Sequence, residues 1–246
     1  MQIWRYLPPL AASGAVQMAI DRWLLQAHRA GRQPPSLRFY TWEPAAISLG
    51  YHQTRYPLHW QTLATTGSLD LVRRPSGGRA VLHQGDLTYA VITSGLPQAR
   101  RLAYERICDF LIAGWRSLGL SLQYGQAKSS YARQENCFAL ATGADLVTET
   151  SEKFIGSAQL RQGEAILQHG SMCLAPDPQL YAQVFGAPFL AEQKRSLPPQ
   201  ATIVAALCQA AQDCWGIELV EQPLMPQEWL EIEALATTMK GPMRVS

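Results

Sequence analysis

The strand-like segments restrict the fold most, because they lie in the middle of the chain with helical patterns before, between and after them. Apolar residues at helical spacing predict one helix over residues 14–30 and a second that Gly119 ends. Helical patterns return after Asp177 and are strongest over residues 199–214 and 226–239. This order predicts an α+β fold with one mixed, largely antiparallel sheet that is flanked by helices.

The predicted strands are short runs of alternating or apolar residues that are bounded by turn residues. Before the second helix they are Ser36–Trp42, Ala45–Tyr51, Leu69–Arg73 and Val81–Thr93. Residues 121–175 are strand-like again and are interrupted by glycines. In the uncharged stretch Tyr6–Ile20, Pro8 and Pro9 stand where an apolar helix should start. We therefore interpret this stretch as a strand that runs into a helix and not as a targeting signal.

The length and charge of the chain exclude several classes of protein. Its 246 residues allow one large domain, and we expect a core at 1–190 with a C-terminal helical extension at 191–246 packed on the same domain. The formal charge of +2 is too near balance for a protein that binds nucleic acid through phosphates. No run of about 18 apolar residues is present that could span a membrane. Five cysteines without a CxxC pair predict reduced thiols in a cytoplasmic protein, with neither a disulfide framework nor a metal site.

The segment from Arg73 to His83 is the first candidate site. Gly77 and Gly78 lie between two predicted strands, where bare backbone N–H groups can approach a carbonyl or phosphate group of a ligand. The arginines on both sides of the glycines can hold an anion. The alternative is a hairpin turn with solvated arginines, which the pattern alone favours slightly.

A second candidate site joins Lys153 to His169. Lys153 precedes Gly156 in a predicted strand, so its ammonium can reach a substrate that the glycine lets come close. His169 and Gly170 lie on the next strand and face the same space if the two strands form a hairpin. A surface lysine and a histidine satisfied within the core are an equally good interpretation of this pattern.

The third candidate is Cys137. Lone cysteines usually behave as small buried apolar residues. The cysteines whose patterns fit that description are Cys108, Cys208, Cys214 and Cys173. Cys137 differs because polar residues precede it and a lysine follows it in the glycine-rich region. An ammonium near a thiol favours the nucleophilic thiolate.

Together these segments resemble the biotin/lipoate protein ligase family, and most closely its cysteine-dependent octanoyltransferase branch. The resemblance covers about residues 3–190, with motifs at Gln17–Asp21, Pro35–Trp42, Ser48–Tyr51, Arg73–His83, Leu87–Tyr89, Lys153–Gln159 and His169–Ser171. Two features indicate the branch. Arg79 stands where ATP-dependent lipoate ligases usually have a third glycine. Cys137 lies 16 residues before Lys153, an interval similar to that of the nucleophilic cysteine in the octanoyltransferases.

The resemblance implies a fold similar to the catalytic core of biotin ligases and class II aminoacyl-tRNA synthetases. It also implies a reaction of lipoate biosynthesis, in which an octanoyl group moves from acyl carrier protein to a lysine of a lipoyl domain through a Cys137 thioester. No cofactor is implied, because a thioester is already activated. Lys153 would lower the pKa of the thiol and later help to deprotonate or position the amine.

The resemblance also implies a substrate-binding set. Its members are Arg74, Ser76, Gly77, Gly78, Arg79, His83, Gly156, Ser157, Ala158, His169 and Gly170. Backbone N–H groups at Gly77–Gly78 or Gly156–Ser157 would hold the oxyanion. An apolar face with Val81, Leu82 and Ile155 would hold the octanoyl chain.

Two alternative functions remain open at this point. The first is an ATP-dependent lipoate or octanoate ligase, in which Arg74 and Lys153 hold an acyl-adenylate and Cys137 is incidental. The second is a non-catalytic protein that has kept the fold and binds acyl carrier protein or a lipoyl domain. In each case the expected partners are proteins, and neither nucleic acid nor a membrane is expected.

Overall fold

The computed structural model describes residues 1–125, 145–186 and 196–239. The described helices are α1 Gly14–Arg29, α2 Leu58–Thr65, α3 Arg100–Ser117, α4 Pro178–Phe185, α5 Gln200–Trp215 and α6 Pro226–Met239. The described strands are β1 Gln2–Ala12, β2 Ser36–Trp42, β3 Ala46–Leu49, β4 Asp70–Arg73, β5 Val81–His83, β6 Asp86–Thr93, β7 Leu122–Tyr124, β8 Asp145–Thr148, β9 Lys153–Gln162, β10 Ala165–Cys173 and β11 Ile217–Glu221. Within these ranges, no helix has both the length and the apolar composition that crossing a bilayer requires.

Eight of the described strands form one sheet in the order β11-β1-β2-β6-β10-β9-β8-β7. β1 pairs in parallel with both β11 and β2. Every neighbouring pair from β2 across to β7 is antiparallel. The predicted α+β fold with a mixed, largely antiparallel sheet is therefore confirmed.

Helices cover both faces of this sheet because side chains alternate along its central strands. Along β6, Tyr89 and Val91 belong to the apolar core beneath α3 and α5. Ala90 and Ile92, which point the other way, belong to the core beneath α1 and α6. β6 is buried along its whole length, so the sheet is the middle layer of three.

A second, three-stranded sheet has the order β4-β3-β5. The prediction of one strand over Val81–Thr93 is wrong, because the structure divides this segment between β5 in the small sheet and β6 in the large one. Gly85 makes the turn between them with a φ of 63°, a left-handed conformation that glycine adopts without strain. The loop Arg74–Arg79, between β4 and β5, thereby comes within hydrogen-bonding distance of β10.

The C-terminal segment contains a strand that the sequence pattern did not predict. β11 lies between α5 and α6 and pairs with β1 at the edge of the large sheet. α6 packs against α1 and is also tied to β1, because the buried guanidinium of Arg5 lies 2.7 Å from the carboxylate of Glu228. The predicted domain boundary at residue 190 lies outside the described residues.

Candidate active site

A cavity of about 830 Å³ lies between the large sheet, the small sheet and the N-terminal half of α3. The predicted site residues that line it are Arg74, Gly77, Gly78, His83, Gly156, Ser157, Ala158, His169 and Gly170. Three further predicted residues do not line the cavity, but each contacts a residue that does: Ser76 contacts His169, Arg79 contacts Arg74, and Lys153 contacts Asp145. The structure therefore brings the first two candidate sites together.

The guanidinium of Arg74 organises the loop around Gly77 and Gly78. It is buried and donates to the carbonyl oxygens of Ser48 at 2.8 Å, Gly77 at 2.8 Å and Arg79 at 2.6 Å. Gly78 has a φ of 97°, and a Cβ at this position would lie only 2.7 Å from Arg74 Nη2. The interpretation of this segment as a turn with solvated arginines does not hold for Arg74.

His83 is held between a carboxylate and a hydroxyl group. Its Nδ1 lies 2.8 Å from Asp86 Oδ2, and its Nε2 lies 2.8 Å from Ser48 Oγ. The ring stacks on Trp42 with the two centroids 3.9 Å apart. Burial lowers the pKa of His83, and the opposing effect of Asp86 is smaller, so the neutral imidazole is favoured.

His169 is held in the same way by residues of α1 and of the Arg74–Arg79 loop. Its Nδ1 lies 2.8 Å from Asp21 Oδ2, and its Nε2 bonds to Ser76 Oγ. Asp21 is fully buried and also accepts hydrogen bonds from Tyr40 at 3.0 Å and from Arg38 at 3.3 Å. No role for Asp21 was predicted. A charged residue on the apolar face of a predicted helix could have indicated one, because such residues are rarely buried without a partner.

Lys153 is buried against Asp145 at the cavity wall. Its Nζ lies 2.9 Å from Asp145 Oδ1, and the two side chains are only 4% and 5% exposed. Asp145 lines the cavity, and the pairing of β8 with β9 places it opposite Gly156. The interpretation of Lys153 as a surface residue is therefore wrong, and Asp145 is a site residue that was not predicted.

Gly170 and Ser157 face each other across β9 and β10. Ser157 Oγ lies 2.8 Å from the hydroxyl of Tyr89 on β6. A Cβ on Gly170 would lie 2.7 Å from Tyr89 Cε1 and 2.8 Å from the carbonyl oxygen of Gly156. Because residue 170 is a glycine, Tyr89, Gly156 and Ser157 can pack closely around it at the cavity wall.

We expect Gly170→Ala to lower the free energy of unfolding by about 1–3 kcal/mol, because the new methyl group overlaps a packed ring and a strand carbonyl. Urea denaturation measures this change. Gly77→Ala is the matched control, since no atom lies within 4 Å of a Cβ built there. Equal stability of Gly170→Ala and the wild-type protein would contradict the close packing.

The apolar wall of the cavity differs from the predicted one. Val81 lines the cavity, but Leu82 and Ile155 do not. Leu82 follows Val81 in β5, so it points to the opposite face and packs in the small-sheet core. Ile155 is fully buried in the core beneath α3. The apolar and aromatic side chains that line the cavity instead are Met18, Tyr40, Trp42, Tyr104 and Tyr124.

Cys137 lies outside the described residues, so its distance from Lys153 is not part of this geometry. Three of the described cysteines have thiols that are harder to deprotonate than an ordinary cysteine thiol. Burial raises the pKa of Cys108 to about 12 and that of Cys208 to about 11, and it also raises the pKa of Cys214.

Within the described ranges, no group of three or more histidine, cysteine, aspartate or glutamate side chains is placed to hold a metal ion.

Comparison with known proteins identifies the family. The lipoyl protein ligase A/B catalytic domain matches residues 13–226. The chain belongs to this family. Among its relatives is octanoyltransferase LipM of Brevibacillus brevis, with 40% identity over 192 residues, which cover 73% of this chain and 69% of the relative. The LipM of Bacillus subtilis is 37% identical over 75% of this chain and 70% of its own. The predicted family and its octanoyltransferase branch are thereby confirmed.

Solved structures of the lipoyl protein ligase A/B family share the fold. A lipoate-protein ligase A bound with ATP superposes with a TM-score of 0.80 at 20% identity, covering 96% of this chain and 95% of the other. A bipartite lipoate protein ligase from Thermoplasma acidophilum has a TM-score of 0.76 at 19% identity, covering 96% and 92%. At this identity the likeness establishes the architecture and not the reaction.

Proposed function

We propose that the chain is an octanoyltransferase of lipoate biosynthesis, which moves an octanoyl group from acyl carrier protein to a lysine of a lipoyl domain. The observation that carries this proposal is the identity of 34–40% to several LipM octanoyltransferases over most of the chain. The cavity supports it chemically. Met18 and Trp42 give it an apolar wall for an alkyl chain, and Asp145, the ion-pair partner of Lys153, lies at another part of the same wall.

In the proposed first step, the Cys137 thiolate attacks the carbonyl carbon of the donor thioester. A C–S bond to Cys137 forms, the bond to the carrier sulfur breaks, and the carrier leaves as a thiol once that sulfur takes up a proton. The oxyanion that develops needs hydrogen-bond donors. Gly77 and Gly78 line the cavity, and within the described residues their N–H groups donate to no other group, so we place the oxyanion there.

In the proposed second step, the amine of the acceptor lysine attacks the Cys137 thioester. The amine loses a proton as the amide bond forms, and the Cys137 thiol is restored. Lys153 supplies a cation that favours the thiolate in the first step and positions or deprotonates the amine in the second. Asp145, 2.9 Å from the Lys153 ammonium, fixes the direction of that side chain.

The remaining parts of the proposal concern partners and setting. The acyl donor is acyl carrier protein, and the acceptor is the lipoyl domain of a glycine cleavage H protein or of a 2-oxoacid dehydrogenase E2 subunit. The reaction takes place in the cytoplasm and uses no cofactor. Residues 1–190 form the catalytic core, and residues 191–246 pack on it as part of the same domain.

An ATP-dependent ligase is the second candidate, because the fold is shared with a lipoate-protein ligase A bound with ATP. We expect transfer from octanoyl acyl carrier protein to a lipoyl domain to proceed without ATP, since the thioester is already activated. We also expect no ATP–pyrophosphate exchange with free octanoate or lipoate. Exchange at a rate comparable to transfer would favour the ligase. Any turnover at all excludes a protein that only binds its partners.

A further inference from the structure

We propose that His83 and His169 are positioning residues for the acylation step. Each is the middle of an Asp–His–Ser chain of hydrogen bonds, and the two chains together hold the Gly77–Gly78 turn where its N–H groups meet the thioester carbonyl. The inference rests on the proposed function, because it concerns the first step of that reaction.

In the first chain of hydrogen bonds, which joins Asp86, His83 and Ser48, the chemistry of each group determines which atom donates. The Asp86 carboxylate can only accept, so His83 Nδ1 carries the hydrogen of the 2.8 Å contact. Arg74 can only donate, so Ser48 Oγ accepts the 3.2 Å contact from Arg74 Nη1. The Ser48 hydroxyl hydrogen then points to His83 Nε2, 2.8 Å away. His83 is therefore a neutral acceptor, in agreement with its lowered pKa.

Asp86 is held in place by neighbours on the large sheet. Its Oδ2 also accepts from Ser171 Oγ at 2.6 Å and from Thr88 Oγ1 at 3.1 Å. Thr88 Oγ1 in turn accepts from Trp42 Nε1 at 2.8 Å. The first chain is thus anchored in β6 and β10 and reaches the loop through Arg74, which binds the carbonyl oxygens of Gly77 and Arg79.

The second chain reaches the same loop from the other histidine. Asp21 is buried with Arg38 and accepts from His169 Nδ1 at 2.8 Å. By the same reasoning His169 Nε2 is an acceptor when the ring is neutral, and its partner is the hydroxyl of Ser76. Ser76 precedes Gly77 directly, so this chain fixes the start of the turn and the Arg74 chain fixes its end.

The carbonyl bonds determine where the amide groups of the turn point. In a planar trans peptide the N–H lies opposite the preceding C=O. The Ser76 carbonyl accepts from the backbone N–H of Tyr51, and the Gly77 carbonyl accepts from Arg74. The N–H groups of Gly77 and Gly78 are therefore turned away from these two donors. These carbonyl bonds do not involve the serine hydroxyls, which instead connect Ser76 to His169 and Arg74 to His83. Loss of either hydroxyl would remove one of these connections and shift the turn and its N–H groups from the position that the thioester carbonyl needs.

The test compares Ser48→Ala and Ser76→Ala with the wild-type enzyme in two reactions of Cys137. Acylation by octanoyl acyl carrier protein needs the oxyanion donors, whereas alkylation by iodoacetamide needs only the thiolate. We expect each variant to acylate about tenfold more slowly or worse at saturating donor, with an unchanged half-saturating concentration and an unchanged alkylation rate against pH. Ser76→Thr, which keeps the hydroxyl, restores acylation. Ser36→Ala is the matched control, because that buried serine bonds to Pro34 away from the cavity.

The outcomes separate this inference from the proposed function. If the wild-type enzyme is acylated at Cys137 and both alanine variants are acylated at the same rate, the positioning role is wrong and the transferase stands. A parallel loss of acylation and alkylation also overturns it, since a general loss of structure would then explain the effect. If the wild-type enzyme is not acylated at all, the proposed function itself fails.

Discussion

Mixing the enzyme with octanoyl acyl carrier protein and no acceptor is expected to add one octanoyl group to Cys137. Intact mass spectrometry detects the adduct, and hydroxylamine releases it because it is a thioester. Cys137→Ser and Cys137→Ala should show no thioester adduct. Transfer to a lipoyl domain should fall by about 10³-fold or more, because removal of a nucleophile abolishes a covalent route.

The other cysteines provide the controls for this experiment. Cys108 and Cys208 have pKa values raised to about 12 and about 11 by burial, so serine at either position should leave the adduct in place. Cys173, half-buried at the end of β10, is the most informative control. An adduct that disappears in Cys173→Ser and persists in Cys137→Ser would show that the wrong thiol was chosen. Full transfer activity of Cys137→Ala would end the covalent mechanism.

Lys153→Ala is expected to slow acylation strongly and to raise the pKa of the Cys137 thiol. A nearby ammonium favours the thiolate, and each pKa unit corresponds to about 1.4 kcal/mol. The rate of iodoacetamide alkylation against pH reports the thiol directly. Lys153→Arg keeps the charge but cannot give up a proton, so it should keep much of the thiolate and lose the acid–base role in the amine step. Identical alkylation and turnover in wild type and Lys153→Ala would remove Lys153 from the mechanism.

The buried Asp145 makes a second control necessary for Lys153. Lys153→Ala removes a cation 2.9 Å from a buried carboxylate, and such a loss costs about 3–5 kcal/mol of folding stability. The double variant Lys153→Ala with Asp145→Asn removes both charges and should recover much of that stability in urea denaturation. If the double variant is stable and still acylates slowly, the slow step reflects the missing ammonium. If its acylation recovers together with its stability, Lys153 acts only through the fold.

The candidate site was predictable where its residues follow one another in the chain. β9 and β10 form the hairpin that the sequence analysis considered, and its register places His169 opposite Ala158. The carboxylates Asp21, Asp86 and Asp145 were missed. Asp21 and Asp145 meet their partners through tertiary structure, whereas Asp86 lies three residues after His83 and meets it across the turn at Gly85. The Asp145–Lys153 contact depends on an irregular register between β8 and β9, and no spacing in one sequence reveals that register.

The errors in the acyl wall and in the strands have simple physical causes. Val81 and Leu82 were placed on one face although adjacent strand residues point to opposite faces. The turn between β5 and β6 has only two residues, Gln84 and Gly85, and the polar residues around it were not taken as a strand boundary, so β5 and β6 were merged. β11 is five residues long and follows α5 directly after Gly216. β11 pairs with β1, which lies more than 200 residues earlier, so the residues around β11 do not reveal this pairing.

The pairing of β1 with β11 makes the candidate active site depend on a segment that is synthesised more than 200 residues after β1. β1 is synthesised early, but one of its edges stays unpaired until β11 has also been synthesised. α1, which carries Asp21, is covered only after α6 has been synthesised and packs against it. Long sequence separations of this kind slow folding. A frameshift or proteolytic cut before residue 217 would therefore loosen the support of His169, although no residue of β11 or α6 lines the cavity.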